Sequence, residues 1–362
     1  MKHIFKKCAI AASVTTALLV SGCNDSVADT AEKVVTEQPI TVQEQASIEG
    51  MRILLTNDDS IINSRENGGD GKGLYEIRKA LCEAGADVIT IGPWGKQSGM
   101  GGRIATGGTL TIQEVTPTLD YVSDCAGVAN QGIVFGLCEA EGTCDSESKS
   151  GSPSDAVALA IARFLPENYW PEGPELVISG INWGPNPGLA VIHSGTVNGA
   201  ATAHEFGKPA LSLSEDIDLR CLDDVYYCPS FTEHANFAVD LIKYLKGNDL
   251  LATRDTLINV NYPAIHDDEV VKAPKMTVLG TGLLLANVFT GDDASASGGS
   301  YGIDFVASTP ESRTGADTTA IQNNEISVTV MSGDWSADRD QAGLDVINQK
   351  VTAIIEKMAT GY

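Results

Sequence analysis

The sequence predicts an α/β protein built on a doubly wound, mostly parallel sheet of Rossmann-like three-layer form, with a β-rich extension at its C-terminal end. Three observations carry this. From Met51 onward, short apolar runs (RILLT, DVITI, LVIS, LINVN) alternate with stretches of helical period. The segments between successive runs hold amphipathic helices, the signature of β-α-β units with parallel strands and right-handed crossovers. Residues 275–335 lose that rhythm and carry strand-like runs instead.

The elements follow in order. Arg52 to Thr56 reads as a buried strand, and Leu74, Ile77, Leu81 and Ala84 fall at helical spacing. Asp87 to Ile91 is the second strand. Thr109 to Val115 and Gly132 to Leu137 read as strands flanking an insertion that contains cysteine and glycine. Ser152-Pro153 opens a helix expected to run through Leu165, serine suiting the N-cap and proline the first turn. Leu176 to Ser179 is the next buried strand, followed by the loop GINWGPNPG. A helix is predicted to begin near Thr196, and Pro209 to Ser214 is again a strand. Phe231 to Leu245 has helical period and Leu257 to Asn261 returns to strand. A Ser/Gly/Asp-rich stretch covers 291–300, with strand-like runs at 301–306 and 326–330. Asp340 to Met358 closes the chain as an amphipathic helix. There is no internal repeat.

Ahead of this domain, Lys2, Lys6 and Lys7 precede a mostly apolar stretch from Cys8 to Val20, and no acidic residue occurs before Asp25. The stretch is short for a bilayer-spanning helix and suits the core of a signal peptide over residues 1–22. It ends in Val20-Ser21-Gly22-Cys23, which resembles a bacterial lipobox with valine in place of the usual leucine; the alternative is an ordinary secretory signal with an incidental cysteine. Residues 23–50 are polar and acidic and read as a disordered tether. Residues 51–362 form the domain, with a core over 51–262 and the extension and closing helix over 263–362. The expected location is the periplasm, with a lipid anchor at Cys23 in a bacterial membrane.

The 362-residue chain carries a formal net charge of −24. Cleavage before Cys23 removes three of the 24 basic residues, leaving 21 against 48 acidic ones, a net −27. Such a surface repels nucleic-acid backbones and disfavours DNA or RNA as a partner. Small phosphorylated molecules are repelled too, unless a cation neutralises them locally. Of eight cysteines, six remain after Cys8 and Cys23 are set aside, an even count that suggests disulfides in an oxidising compartment. Cys138 with Cys144, and Cys221 with Cys228, would close short loops. Cys82 with Cys125 is what remains, and Cys82 also reads as a buried thiol in a helix.

Chemistry concentrates at the ends of the predicted strands. Asn57-Asp58-Asp59 follows the first one directly, where two adjacent carboxylates can face one point and suit Mg²⁺, Mn²⁺ or Ca²⁺. Alone, the pair reads as a turn whose carboxylates cap the next loop. Gly92 to Gly99 follows the second strand and offers the hydroxyl of Ser98. Ser179 to Asn186 supplies Asn182 and Asn186 among glycines. His193-Ser194-Gly195-Thr196 precedes a helix, whose amides could hold a phosphate. Together they describe a carboxylate-rich metal site beside an anion-binding helix start.

The segments MRILLTNDDS, GPWGKQSGMGG, GSPSDAVALAI, ELVISGINWGPNPG, HSGTVNGAATAHEFGKPALSLS and LINVNYP, in that order, resemble the SurE survival proteins, a family of metal-dependent nucleotidases, and GADTTAIQNNEISVTV resembles a later family stretch. The resemblance covers roughly residues 51–262. It implies one divalent cation held by Asp58, Asp59, Ser98 and Asn182, with Asn186, Ser194, Gly195 and Thr196 around the phosphate. It implies hydrolysis of 5′- and 3′-nucleoside monophosphates, and a homodimer or homotetramer in which C-terminal β-elements exchange. The chain departs from the family at Ser60, where glycine is usual, in the longer loop through INSRENGGDGKG, in the Cys-containing segment 116–150, and at His193 in place of a common tyrosine. His193 reads as a packed or solvent-facing residue, with an aid to proton transfer as the alternative.

The expected chemistry is direct attack of a water on a phosphomonoester, with Asp58 chosen to orient or deprotonate that water. An aspartyl-phosphate intermediate is the rival within enzymes, disfavoured because the aspartates are adjacent rather than in an Asp-x-Asp pattern. A lipoprotein that binds nucleotide or phosphate without turnover is the rival from another class.

Overall fold

A computed structural model of the protein describes residues 41–61, 71–118, 120–217, 231–264, 270–291, 299–307, 310–333 and 341–360. The chain divides into Met1–Pro39 and Ile40–Tyr362, and every element below belongs to the second unit. The expected signal peptide, Cys23, the tether up to residue 40, and the Cys221–Cys228 pair lie outside the described residues.

In chain order the elements are β1 (Arg52–Thr56), α1 (Lys72–Glu83), β2 (Asp87–Pro93), β3 (Thr111–Val115), β4 (Val134–Glu139), the two-residue β5 (Lys149–Ser150), α2 (Pro153–Leu159), α3 (Leu165–Asn168), β6 (Leu176–Trp183), α4 (Gly195–Glu205), β7 (Ala210–Glu215), α5 (Phe231–Gly247), β8 (Leu257–Tyr262), β9 (Lys272–Thr277), β10 (Leu285–Thr290), β11 (Gly302–Ala307), α6 (Asp317–Gln322), β12 (Glu325–Val330) and α7 (Gln341–Ala359). Ten strands make one sheet in the order β3-β4-β2-β1-β6-β7-β8-β12-β9, with β5 beside β4. From β4 to β8 all neighbours are parallel. β3 and β5 run antiparallel to β4, and β12 antiparallel to β8. β10 and β11 form a separate antiparallel hairpin.

Alternate residues of the central strands face opposite layers, as the two-residue period of a strand requires. Ile53 and Leu55 join a core with Leu74, Ile77 and Leu81 of α1, Phe237 and Leu241 of α5, and Val351 and Ile354 of α7. Leu54 points the other way, toward Ala156 and Val157 of α2 and Val197, Ala200 and Ala203 of α4. This is the predicted three-layer arrangement. Each fully buried aliphatic side chain contributes about 1.5–3 kcal/mol of hydrophobic stabilisation, so the two cores hold the sheet edge in place.

The start of α2 follows the sequence closely. Ser152 Oγ accepts from Asp155 N, the Asp155 carboxylate accepts from Ser152 N, and Pro153 takes the first turn. The predicted single helix runs on through a π-helical stretch at Ala160–Phe164 into α3. A larger difference lies in β6, which does not end at Ser179 but continues to Trp183. Its pairing register with β7 shifts between Ser179 and Asn182, then resumes with Asn182 opposite Ser214 and Trp183 opposite Glu215. Because β7 extends that far, the backbone of Asn182 and Trp183 finds ladder partners and need not form a loop. Such a bulge re-aims the side chains beyond it.

Residues 41–50, read from sequence as the end of the tether, lie against the domain. Ala46 N donates to Lys243 O at 3.0 Å, Gln43 N donates to Asn248 Oδ1 at 2.8 Å, and Ile48 is fully buried. Their few apolar residues, Val42 and Ile48, carry this packing within an otherwise polar stretch. The insertion after β3 is tied to α1 by a Cys82–Cys125 disulfide, the pairing that sequence left open, and the expected Cys138–Cys144 bond is present. Arg78, almost wholly buried, reinforces the first link by donating to the carbonyls of Gly132 (2.7 Å) and Tyr121 (3.1 Å).

Candidate functional site

In the sheet, β2 and β4 lie on one side of β1, and β6, β7 and β8 on the other. The chain therefore reverses its direction of winding between β1 and β6, and ligands of open α/β sheets bind beyond the carboxyl ends of strands at such a point. Asn57-Asp58-Asp59 leaves β1 there, and Asn182 stands at the end of β6.

Asn57 joins the two strand ends. Its Oδ1 accepts from Asp58 N at 2.8 Å and its Nδ2 donates to Ile181 O at 3.3 Å. Asp58 is 2% exposed and Asp59 is fully buried. The Asp58 carboxylate accepts from Thr196 Oγ1 at 2.8 Å and from Thr196 N at 3.1 Å. Asp59 Oδ2 accepts from Trp183 N at 2.7 Å. Burial pushes the Asp58 carboxyl above its ordinary range, against the two Thr196 hydrogen bonds and the positive charge of Lys96. The residue after the pair, Ser60, has φ 90°, the region that favours the glycine usual at this position in the family.

The loop after β2 is fastened at both ends. Gln97 N donates to Asp58 O at 2.7 Å and Gly101 N to His193 O at 3.0 Å. Ser98, exposed, lies between these anchors, one residue from the Asp58 contact. Lys96 on the same loop brings its Nζ to 3.8 Å from Asp59 Oδ1 and 5.8 Å from the centre of the Trp183 ring. Asn182 is nearly buried, its Nδ2 donates to Gly184 O at 2.7 Å, and its Oδ1 is a buried oxygen without a hydrogen-bond partner.

The start of α4 supports Asp58. Ser194 Oγ caps the helix by accepting from Val197 N at 3.0 Å. Gly195 packs so closely that a Cβ there would sit 2.8 Å from both Cβ and Oδ2 of Asp58. Thr196 makes the two bonds already described. Of the four predicted phosphate-side residues, Gly195 and Thr196 thus lie against Asp58, and Ser194 caps the helix that carries them. Asn186 lies deeper in a polar network: its N donates to Asn261 Oδ1 at 2.7 Å, its Nδ2 to Ser214 Oγ at 2.8 Å, and its O accepts from Asn259 Nδ2 at 2.9 Å. Two residues on, Gly188 N donates to the buried carboxylate of Asp317, which also accepts from Gly280 N and Thr318 N. His193 is exposed. His234 is fully buried 3.6 Å from Glu215, and burial lowers its pKa to about 3, which keeps it neutral.

The donor set fits a hard divalent cation. Asp58, Asp59, Asn182 and Ser98 offer only oxygen, as Mg²⁺, Mn²⁺ and Ca²⁺ require. The unpartnered Asn182 Oδ1 is an acceptor in want of a positive partner. Among the described residues no group of three or more His, Cys, Asp or Glu gathers to hold a metal, so a cation here would need the neutral oxygens of Asn182 and Ser98 besides the two carboxylates.

The sequence assigns roles to Asp58, Asp59, Ser98, Asn182, Asn186, Ser194, Gly195 and Thr196, but none to Asn57 and Lys96, which lie within its motifs, or to Asp317 and the Asn259–Asn261 pair. For the last pair the signal was present: two asparagines two residues apart in a buried strand must find polar partners.

Fold and site together define a doubly wound α/β protein with a buried pair of carboxylates at the switch point of its parallel sheet. The family described as Survival protein SurE matches residues 53–283, more than half of the chain. The chain belongs to that family. It is 32% identical over 213 residues to a 5′-nucleotidase SurE of Desulforudis audaxviator, covering 59% of this chain and 66% of that protein, just under two thirds of its length. A 5′-nucleotidase SurE of Desulfitobacterium hafniense is 32% identical over 290 residues, 78% of this chain and 92% of the relative. The SurE crystal structure from Aquifex aeolicus superposes with a TM-score of 0.55 at 24% identity, covering 82% of this chain and 98% of the other. That likeness concerns the fold.

Proposed function

We propose that this protein is a divalent-metal-dependent phosphomonoesterase that hydrolyses nucleoside monophosphates to nucleoside and inorganic phosphate. The observation that carries the reading is the pair of buried carboxylates, Asp58 and Asp59, set beside the unpartnered Asn182 Oδ1 at the switch point. The SurE relatives, named 5′-nucleotidases, support the substrate class.

Asp58, Asp59, Asn182 and Ser98 would hold the cation, which when bound draws charge from phosphorus and acidifies a water. Thr196 fixes both oxygens of Asp58, and Trp183 N fixes one oxygen of Asp59, so the carboxylates are ordered before substrate arrives. Asp58 orients the attacking water and accepts one of its protons as the new P–O bond forms; the P–O ester bond breaks, and that proton is returned through solvent to the departing oxygen, giving the free hydroxyl and inorganic phosphate. The adjacent aspartates, in place of an Asp-x-Asp pattern, stand against an aspartyl-phosphate route. A phosphate binder without turnover has little use for two buried carboxylates beside its anion.

The deciding experiment is phosphate release by the purified full chain from a panel of nucleoside monophosphates and simple phosphomonoesters, with EDTA, Mg²⁺, Mn²⁺ or Ca²⁺. Release that needs a cation and favours nucleotides is expected. Tight nucleotide binding with no release under any cation would overturn the proposal.

Two finer readings accompany it. The lipobox-like Val20-Ser21-Gly22-Cys23 and the disulfides Cys82–Cys125 and Cys138–Cys144 support an exported, periplasmic lipoprotein anchored at Cys23. Fatty-acid labelling that persists in Cys23→Ser would remove the anchor from that account. The β10–β11 hairpin exposes the cross-strand pair Phe289 and Ile303, 69% and 67% accessible, with Tyr301 beside them. This apolar ribbon supports a homodimer or homotetramer joined through the hairpin. A monomer mass by light scattering would sink it.

A further inference from the structure

We infer that Lys96 is the phosphate-binding arm of this site, its ammonium engaging a non-bridging oxygen of the phosphomonoester while Asp59 and the face of Trp183 hold it in readiness. The inference rests on the phosphatase reading and adds to it a substrate-binding residue.

The need comes from charge. A phosphomonoester dianion must approach two buried carboxylates in a chain of net charge −24. The first turn of α4 is the obvious anion holder, yet Thr196 N and Oγ1 bind Asp58, and Val197 N binds the Ser194 cap, which leaves that turn little beyond the Gly195 N–H to offer an anion. One backbone N–H is a weak counterweight to two carboxylates, and a further positive group beside the cation would supply the rest.

Lys96 is placed for that task. Its backbone is fixed by the next residue, whose N–H is bonded to Asp58 O. Its side chain is one-third exposed, and its Nζ stands 3.8 Å from Asp59 Oδ1, an ion-pair distance beyond hydrogen-bond reach. The Trp183 ring lies 5.8 Å away and offers the ammonium an aromatic face. Trp183 itself is held because its N–H donates to Asp59 Oδ2. Three segments therefore aim one mobile cation at the carboxylate pair. A metal ion on Asp59 would repel this ammonium, and an arriving phosphate would attract it. In the absence of both, Lys96 offsets part of the carboxylate charge. The alternative is a plain ion pair between a one-third-exposed lysine and a buried carboxylate, which contributes little at the exposed end.

The test compares wild type, Lys96→Met and Lys96→Arg as full chains. Calorimetry measures inorganic phosphate binding under saturating Mn²⁺, and Mn²⁺ binding without phosphate; steady-state kinetics follow on one nucleoside monophosphate. In Lys96→Met the phosphate Kd and the KM are expected to rise about tenfold, the scale of one charge-assisted hydrogen bond, with kcat changed far less. Mn²⁺ should bind that variant at least as tightly as wild type, because a competing positive charge is gone. Lys96→Arg should restore most of the phosphate affinity. An unchanged phosphate Kd in Lys96→Met, or a fall in kcat with KM unmoved, would overturn the role. Wild type that binds phosphate and Mn²⁺ but releases no phosphate would overturn the phosphatase reading instead, while the binding comparison still judges Lys96.

Discussion

Asp59→Asn and Asp58→Asn are each expected to lower phosphate release by about a thousandfold or more, the scale of removing a principal charge-stabilising group from an enzyme. The metal-free chain should nevertheless stay folded, with a melting temperature equal to or above that of wild type. Both side chains are almost wholly buried, and two carboxylates side by side out of water cost stability that only a cation or strong hydrogen bonds can offset. For Asp59 the swap keeps an oxygen for Trp183 N while discarding the charge. For Asp58 it places an amide opposite either the hydroxyl or the N–H of Thr196, and the N–H cannot accept, so the gain in stability should be smaller. Loss of activity together with unfolding would assign the pair a structural role. Activity within about tenfold of wild type, or some 1.4 kcal/mol of barrier, would sink the metal site as drawn.

The second large effect is expected from Gly195→Ala. The added Cβ would lie 2.8 Å from Cβ and Oδ2 of Asp58 and 3.2 Å from Gln97 O, so either the carboxylate or the start of α4 must yield. Displacing a reacting group by a fraction of an ångström to about 1 Å costs up to roughly a hundredfold in rate, and kcat/KM should fall by ten- to a hundredfold. Alanine is better than glycine in a helix by about 0.5–1 kcal/mol, which offsets part of the packing penalty. The signature is thus a crippled but stable protein. Gly107→Ala is the control, since nothing lies within 4 Å of its added Cβ. Equal kinetics for both variants would mean that Asp58 need not be held where it stands.

The frame of this site was legible because strand periodicity places strand ends, and strand ends place ligands. RILLT fixed where Asp58 and Asp59 leave the sheet, and Ser152-Pro153 announced its helix by local capping alone. What escaped depends on contacts between residues far apart in sequence. β6 was cut short at Ser179 because Gly180 and the following prolines look like a loop, and only the length of its neighbour β7 keeps Asn182 and Trp183 in the sheet. Lys96 could not be singled out, because its importance lies in reaching Asp59, 37 positions earlier, and Trp183, which share no local pattern with it. Cys82 looked like a core thiol for the same reason: its partner sits on an insertion with no period of its own.

The buried Asp317 carboxylate joins parts of the chain that the sequence separates into core and extension. By accepting the N–H groups of Gly188 and Gly280 together, it ties the loop beyond β6, which carries Asn186, to the segment after β9 that precedes the β10–β11 hairpin. The extension is therefore no detachable appendage. A partner that grips the hairpin would bear on the same knot that seats the Asn186 loop, and a shortened or repacked extension is expected to change turnover before any loss of solubility.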